Sequence, residues 1–128
     1  MARCRVVQPE TVRLSLSDGD FLDVKKELNA GEYFDLLNDM VARVPFSHIL
    51  HYVVGWSLIG LDGKPLPYTV DLPATVRRDT VWVLDKGTTR EMIAALNRHE
   101  SVVEQEREKT RALPFGEGAS STTSPSAG

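Results

Sequence analysis

An Asp18-Gly19 turn pair separates two short stretches in which apolar and polar residues alternate. Such alternation is typical of a half-buried β-strand, because successive side chains of a strand point to opposite faces. Asp-Gly between two alternating stretches is a strong signal for a β-hairpin. The apolar members are Val12, Leu14 and Leu16 before the turn and Leu22 and Val24 after it. The sequence therefore predicts an N-terminal hairpin with one apolar face.

The apolar face also limits the length of the hairpin loop. A two-residue loop over 18–19 would place apolar residues opposite polar ones, since a slip of one residue turns every side chain to the other face. A three-residue loop over 18–20 places Leu16 opposite Leu22 and Leu14 opposite Val24. We therefore expect the three-residue loop, with a glycine-assisted bulge.

The hairpin is followed by a first predicted helix with a clear beginning and end. Asn29 and Glu32, three residues apart, form a capping-box pattern at its start. Pro45 stops it, because proline cannot continue a helix. Apolar residues at helical spacing predict the stripe that faces the core. They are Tyr33, Leu37, Met40, Val41 and Val44.

The second predicted helix is the expected centre of the core. Ser47 is placed to cap it, and its apolar residues leave almost no polar face, which is typical of a buried helix. These residues are Ile49, Leu50, Tyr52, Val53, Val54, Trp56, Leu58 and Ile59. Glycine and proline are frequent over 60–67, and this range is predicted as a loop.

Two more helices complete the predicted set. Asp71 and Pro73 open the third, and Gly87 ends it. Its apolar stripe is Val76, Thr80, Val81 and Leu84. A second capping-box pattern, Thr88 with Glu91, begins the fourth helix. Its stripe is Met92, Ile93, Leu96, His99 and Val103.

These elements predict an α+β fold that is mainly α, with an N-terminal β-hairpin packed on about four helices. Residues 1–10 are expected to be a flexible N-terminus and 11–112 a single domain. Residues 113–128 are rich in glycine, serine, threonine and proline and have no apolar periodicity. They are predicted to be a disordered C-terminal tail.

Composition narrows the function classes. The net charge of −3 argues against electrostatic nucleic-acid binding, which needs clustered lysine and arginine. The single cysteine, Cys4, provides neither a disulfide framework nor a multi-cysteine metal site. The start of the chain has no signal-peptide pattern, and the most apolar stretch is too short to span a bilayer. A reducing cytoplasm is therefore the expected compartment.

No motif indicates catalysis or a cofactor. His48 and His51 have a spacing that metal sites use, but a closed zinc site needs further ligands that the chain does not supply at matching positions. Asp18, Asp20 and Asp23 do not follow the pattern of a calcium loop, and turn chemistry explains them. Phosphate loops, nucleophile elbows and His-Glu-x-x-His are missing from the sequence. The prediction is a non-enzyme with no cofactor and no metal.

Two sets of residues are candidates for contact with a partner. The first lies on the hairpin, where Phe21 occupies the face opposite the apolar set and the basic pair Lys25-Lys26 follows. The second lies on the mixed-charge last helix and consists of Arg98, Glu104 and Arg107. A solvated face is the ordinary explanation of each set taken alone.

Three segments together resemble a known family. They are LSDGDFLDVKKELNAGEYFDLL, VVGWSLIGLDGKPLPY and LNRHESVVEQEREK, and the resemblance covers about residues 12–110. The chain resembles the small tail assembly chaperones of long-tailed (siphovirus-type) bacteriophages and prophages. Those proteins similarly combine a hairpin bearing Asp-Gly-Asp, a capped helix, a Trp-Ser segment, a Gly-Lys-Pro turn and a charged last helix. The chain departs from them at Val44-Pro45-Phe46, where relatives often have a longer polar connection.

The resemblance implies a function without catalytic residues. It implies binding to the tape measure protein, a long helical chain with exposed apolar surface, which the chaperone keeps soluble while tail tube protein polymerises around it. It further implies a bacterial host cytoplasm, absence from or low abundance in the mature virion, and possible self-association. Many such chaperones have a second form made by ribosomal frameshifting, and the C-terminal tail would suit the end of a short form.

Two other functions compete with the chaperone. One is a structural virion component, such as a tail or head-tail connector subunit. The other is a DNA-binding regulator, which ranks low because the third predicted helix has only Arg77 and Arg78 near its start. No nucleic-acid or membrane partner is predicted.

Overall fold

The computed structural model describes residues 4–112, and the side chains of residues 4–109. Three strands and four α-helices make up the described part, and the predicted α+β, mainly α, class is confirmed. The strands are β1 (Thr11–Ser15), β2 (Phe21–Lys25) and β3 (Val53–Trp56), and the helices are α1 (Ala30–Val41), α2 (Ser47–Tyr52), α3 (Ala74–Trp82) and α4 (Lys86–Ala112). Residues 4–10 have no regular secondary structure. The predicted tail over 113–128 lies outside the described residues.

The chain divides into two compact units, Met1–Asn97 and Arg98–Gly128. The first contains the sheet, α1 to α3 and the beginning of α4. In the second, the described structure is the remainder of α4. No helix in the described range is both long enough and apolar enough to cross a membrane.

The hairpin forms as predicted, but its register is different. Val12 lies opposite Val24 and Leu14 lies opposite Leu22, whereas the sequence predicted Leu14 opposite Val24 and Leu16 opposite Leu22. The loop has the predicted three residues but occupies Ser17–Gly19, one residue earlier than expected. A hydrogen bond from the Leu16 N–H to the Asp20 carbonyl oxygen (2.8 Å) closes it.

Backbone conformation explains the position of the loop. Asp18 and Gly19 both have positive φ, 59° and 81°, and aspartate and glycine are among the residues that tolerate this region. The observed and predicted registers differ by two residues. A shift of two keeps every side chain on the same face, so the apolar pattern does not distinguish the two registers.

Helix α1 begins with the predicted capping box. The Asn29 side chain accepts a bond from the Glu32 N–H (2.9 Å), and the Glu32 carboxylate accepts one from the Asn29 N–H (3.0 Å). The helix ends at Val41, earlier than the expected stop at Pro45, because Arg43 takes a φ of 59°. The predicted core stripe is wrong. The buried residue of α1 is Leu36, and most of the predicted stripe is exposed.

The predicted central helix is also wrong in its second half. Helix α2 ends at Tyr52, and the chain continues as strand β3, antiparallel to β2, with Trp56 opposite Leu22. Short apolar runs of helix and of buried strand look alike in sequence, and β-branched and aromatic residues favour the strand. The predicted cap is wrong as well. Phe46 is the cap residue, and the Ser47 hydroxyl donates to the Val44 carbonyl oxygen (2.6 Å).

The boundary between α3 and α4 lies before Gly87, not at it. Helix α3 ends at Trp82, and α4 begins at Lys86. The Asp85 carboxylate accepts bonds from the Thr88 N–H and hydroxyl, both at 2.8 Å. Thr88 therefore lies within the helix as a donor, and the predicted Thr88–Glu91 capping box is wrong. Asp85 supplies the acceptor that the first turn of a helix requires.

One hydrophobic cluster joins the sheet to the helices of the first unit. The inner face of the sheet packs on residues from α1, α2, α3 and the first half of α4. The largest fully buried side chains are Leu22, Leu36, Ile49, Met92, Leu96, Val24, Val53 and Val81. Hydrogen bonds also join α3 to the neighbouring segments. The Arg77 guanidinium donates to the carbonyl oxygens of Leu50 (2.8 Å) and Leu72 (3.1 Å). The predicted loop over 60–67 is confirmed.

Candidate protein-binding site

Helix α1 presents a row of large apolar side chains to solvent. We name this row the α1 stripe, and its members are Tyr33, Phe34, Leu37, Met40 and Val41. Phe34 is 62% exposed and Val41 is 85% exposed. Leu37 is half-buried, and about half of each of Tyr33 and Met40 is exposed. Exposed apolar rows of this kind make α1 a candidate for contact with another protein.

Helical geometry explains why these five residues form one surface. Residues three, four and seven positions apart lie on the same side of a helix. Tyr33 and Met40 form one row of the stripe, and Phe34 and Val41 form the next, with Leu37 between them. The two aromatic rings are in contact, with centroids 5.9 Å apart and planes tilted by 59°.

Polar contacts hold a different side of α1 against the domain. Glu32 accepts a hydrogen bond from the Lys25 ammonium group, and Asp39 forms a 2.6 Å contact with His51. Glu32 and Asp39 are seven residues apart, so they share a face that does not include the stripe. With Leu36 in the core, these contacts orient α1 so that the stripe remains uncovered.

The pKa of Glu32 reflects this anchoring. Burial acts to raise it, but the hydrogen bonds from Lys25 and from the Asn29 N–H, with the electrostatic influence of Lys25 and His51, outweigh burial. The pKa of Glu32 therefore lies below its ordinary value, and the carboxylate is ionised at neutral pH. The charged carboxylate accepts one bond from the Asn29 N–H at the start of α1 and another from Lys25 at the end of β2.

The predicted hairpin residues have partners inside the chain. The Arg13 guanidinium carbon lies 3.7 Å from the centroid of the Phe21 ring. Lys25 is engaged by Glu32, and Lys26 lies 3.9 Å from Glu10. Phe21 and Lys25 share the outer face of β2, because they are four residues apart in a strand. They stay candidates for partner contact.

The predicted residues of the last helix lie in the second unit. Arg98, Glu104 and Arg107 are all exposed on α4. Glu104 and Arg107 are three positions apart and so lie on one side of the helix. They too stay candidates, as a surface separate from the hairpin set.

The histidines and cysteine have no arrangement that resembles a metal centre. His51 faces Asp39, and the His48 ring stacks on Tyr52 with centroids 6.3 Å apart. Cys4 is exposed. Within residues 4–112, no group of three or more histidine, cysteine, aspartate or glutamate side chains could hold a metal ion.

Comparisons of the chain with protein families, with characterised proteins and with solved structures found no match.

Sequence reasoning assigned most of the α1 stripe to the core and did not single out Phe34. A signal was available in the width of the apolar arc. Tyr33, Phe34, Leu36, Leu37, Met40 and Val41 together cover more of the helix than one packing contact buries. An arc of this width predicts that part of it stays exposed when the other part meets the core.

Proposed function

We propose that the chain is a tail assembly chaperone of a long-tailed bacteriophage or prophage. In this role it binds the tape measure protein in the host cytoplasm and keeps it soluble until the tail tube assembles. The proposal combines the resemblance of the three sequence segments with the surface chemistry of α1. It names no catalytic residue and no cofactor.

The observation that carries the proposal is the uncovered α1 stripe. A long helical client with exposed apolar surface needs a partner that covers this surface reversibly. An amphipathic helix binds through apolar residues at spacings of three, four and seven, and the stripe offers such a row. Aromatic rings supply contact area, and methionine adapts to irregular shapes. Many copies along one client would make weak individual contacts sufficient.

Co-expression with the tape measure protein of the same phage tests the proposal. We expect the wild-type chain to raise the fraction of tape measure protein in the soluble lysate and to co-purify with it. Val41→Glu places a charge in the stripe at a position that packing does not restrict, and it should remove both effects. Phe34→Ala should weaken binding by about 1–2 kcal/mol, the scale of a contact that contributes strongly to an interface.

Val83→Glu is the matched control. Val83 is 73% exposed and follows the end of α3, outside the stripe. It should leave solubilisation unchanged. A tape measure protein that stays insoluble with the wild-type chain would contradict the proposed function. Equal loss with both glutamate variants would contradict the assignment of the stripe.

The competing function, a structural virion component, has a separate readout. Mass spectrometry of purified particles should detect this chain only in trace amounts if it is a chaperone. A stoichiometric number of copies per particle would favour the structural role instead.

A further inference from the structure

The outer edge of strand β1 is a surface separate from the α1 stripe. The strand order in the sheet is β1-β2-β3, so β1 is an edge strand. We propose that this edge binds an extended segment of another protein that alternates apolar residues with acidic ones. The segment would add a fourth strand to the sheet.

The hydrogen-bond pattern determines which backbone groups are available. The Lys26 N–H donates to the Glu10 carbonyl oxygen, and the Leu16 N–H donates to the Asp20 carbonyl oxygen. In an antiparallel pair, such bonds recur at every second residue. The even-numbered residues of β1 therefore bond to β2. The N–H and C=O groups of Thr11, Arg13 and Ser15 point away from β2, toward the outer edge.

The next outward N–H along the chain, that of Ser17, already has an acceptor and so marks one end of the available edge. The Ser17 N–H donates to the Glu91 carboxylate (2.6 Å), and the Ser17 hydroxyl donates to the same carboxylate (2.9 Å). A carboxylate thus occupies the position that a strand residue would take beside Ser17. The open edge runs from Thr11 to Ser15, which is long enough for a five-residue strand.

Side chains at this edge determine which segment fits. On the inner face, Val12 and Leu14 pack on the core but remain partly exposed. Apolar residues of an added strand would cover them. On the outer face, β1 carries one charged side chain, that of Arg13. Its Nε and one Nη bond the Asp23 carboxylate at 2.8 and 3.2 Å. Arginine has five N–H donors, so donors remain for an acidic residue of the added strand.

A synthetic peptide in which valine alternates with glutamate and threonine tests the proposal, with binding measured by NMR on the labelled full chain. We expect the peptide to shift the amide signals of Thr11, Arg13 and Ser15 and to slow their hydrogen exchange. Arg13→Glu should weaken binding about fivefold, the upper scale of a cross-strand charge pair. A peptide with lysine in place of glutamate should recover binding to this variant.

Ser15→Pro tests the backbone contact separately from charge. Proline removes an N–H that points outward and is accepted on edge strands. This variant should keep its thermal unfolding temperature and lose peptide binding. Three results would overturn the proposal. They are slow exchange of the three outward amides in the free chain, peptide binding that neither variant weakens, and a dimer of the chain that Ser15→Pro abolishes. The last would assign the edge to a second copy.

Discussion

Single residues decide where the helices of this chain begin and end. The capping box of α1 was predictable because its two bonds are local and depend on residues three positions apart. The second predicted box failed because Thr88 had a competing acceptor, Asp85, three positions before it. Positive φ at Arg43 and Phe46 was not predictable, since no local pattern marks these residue types for that conformation.

Asn29→Ala removes an acceptor from the first turn of α1. We expect the free energy of unfolding to fall by about 1 kcal/mol, the usual cost of losing such a cap, as measured by urea denaturation. Asn38→Ala is the control on the same helix, because Asn38 is exposed and lies within the helix interior. A loss of equal size in both variants would contradict the role of the cap.

Glu32 gives the stability of the chain a predictable acid dependence. Its folded pKa lies below the ordinary value of 4.5. The stabilisation is therefore fully present above that value and is lost as pH falls through the folded pKa. Glu32→Gln keeps a side-chain acceptor but removes the charge. We expect wild type to be more stable than Glu32→Gln at pH 7 and the difference to shrink below about pH 4.5. A difference that is constant with pH would refute this explanation.

At the scale of elements, the inner face of the hairpin was predicted but its pairing was not, and the core face of α1 was wrong. The apolar face of the hairpin is correct, but its register is off by two residues because side chains repeat every two. The range 53–56 was expected to be helical and pairs with β2 instead. Only the tertiary contact with β2 distinguishes these two states, since both would bury Val53.

Engineered disulfides can measure the register. In a Cys4→Ser background, the variant Thr11→Cys/Lys25→Cys joins residues that lie directly opposite each other. We expect it to form a disulfide on mild oxidation, because opposed residues in an antiparallel pair bring their Cβ atoms within reach. The variant Arg13→Cys/Lys25→Cys corresponds to the register predicted from sequence and should remain reduced. Mass spectrometry of an unreduced digest distinguishes them, and the opposite result would support the alternative register.

At the scale of the whole molecule, the α+β class was predictable from the sequence, but the surface left uncovered was not. The sequence shows how much of the α1 surface is apolar. Which part of that surface meets the core depends on the contacts of α1 with Lys25 and His51. These residues belong to other elements, and their contact with α1 is a property of the assembled fold.

The core also predicts an unequal distribution of stability along α4. Leu96→Ala removes most of a fully buried side chain and leaves a cavity in its place. It should cost about 2–5 kcal/mol in thermal or chemical unfolding. Val102→Ala, on the same helix in the second unit, alters a half-exposed side chain and should change stability by less than about 0.5 kcal/mol. Similar losses in the two variants would show that the core extends further than these contacts indicate.

The bond between the hairpin loop and Glu91 also has a consequence for synthesis. Ser17 and Glu91 are 74 positions apart, so this bond cannot form until most of the chain has been translated. The nascent hairpin can pair early, because its own contacts are local. Its loop can bond to Glu91 only after α4 has formed. Final closure of the first unit is thus a late, long-range step, because it needs α4 as well as the hairpin.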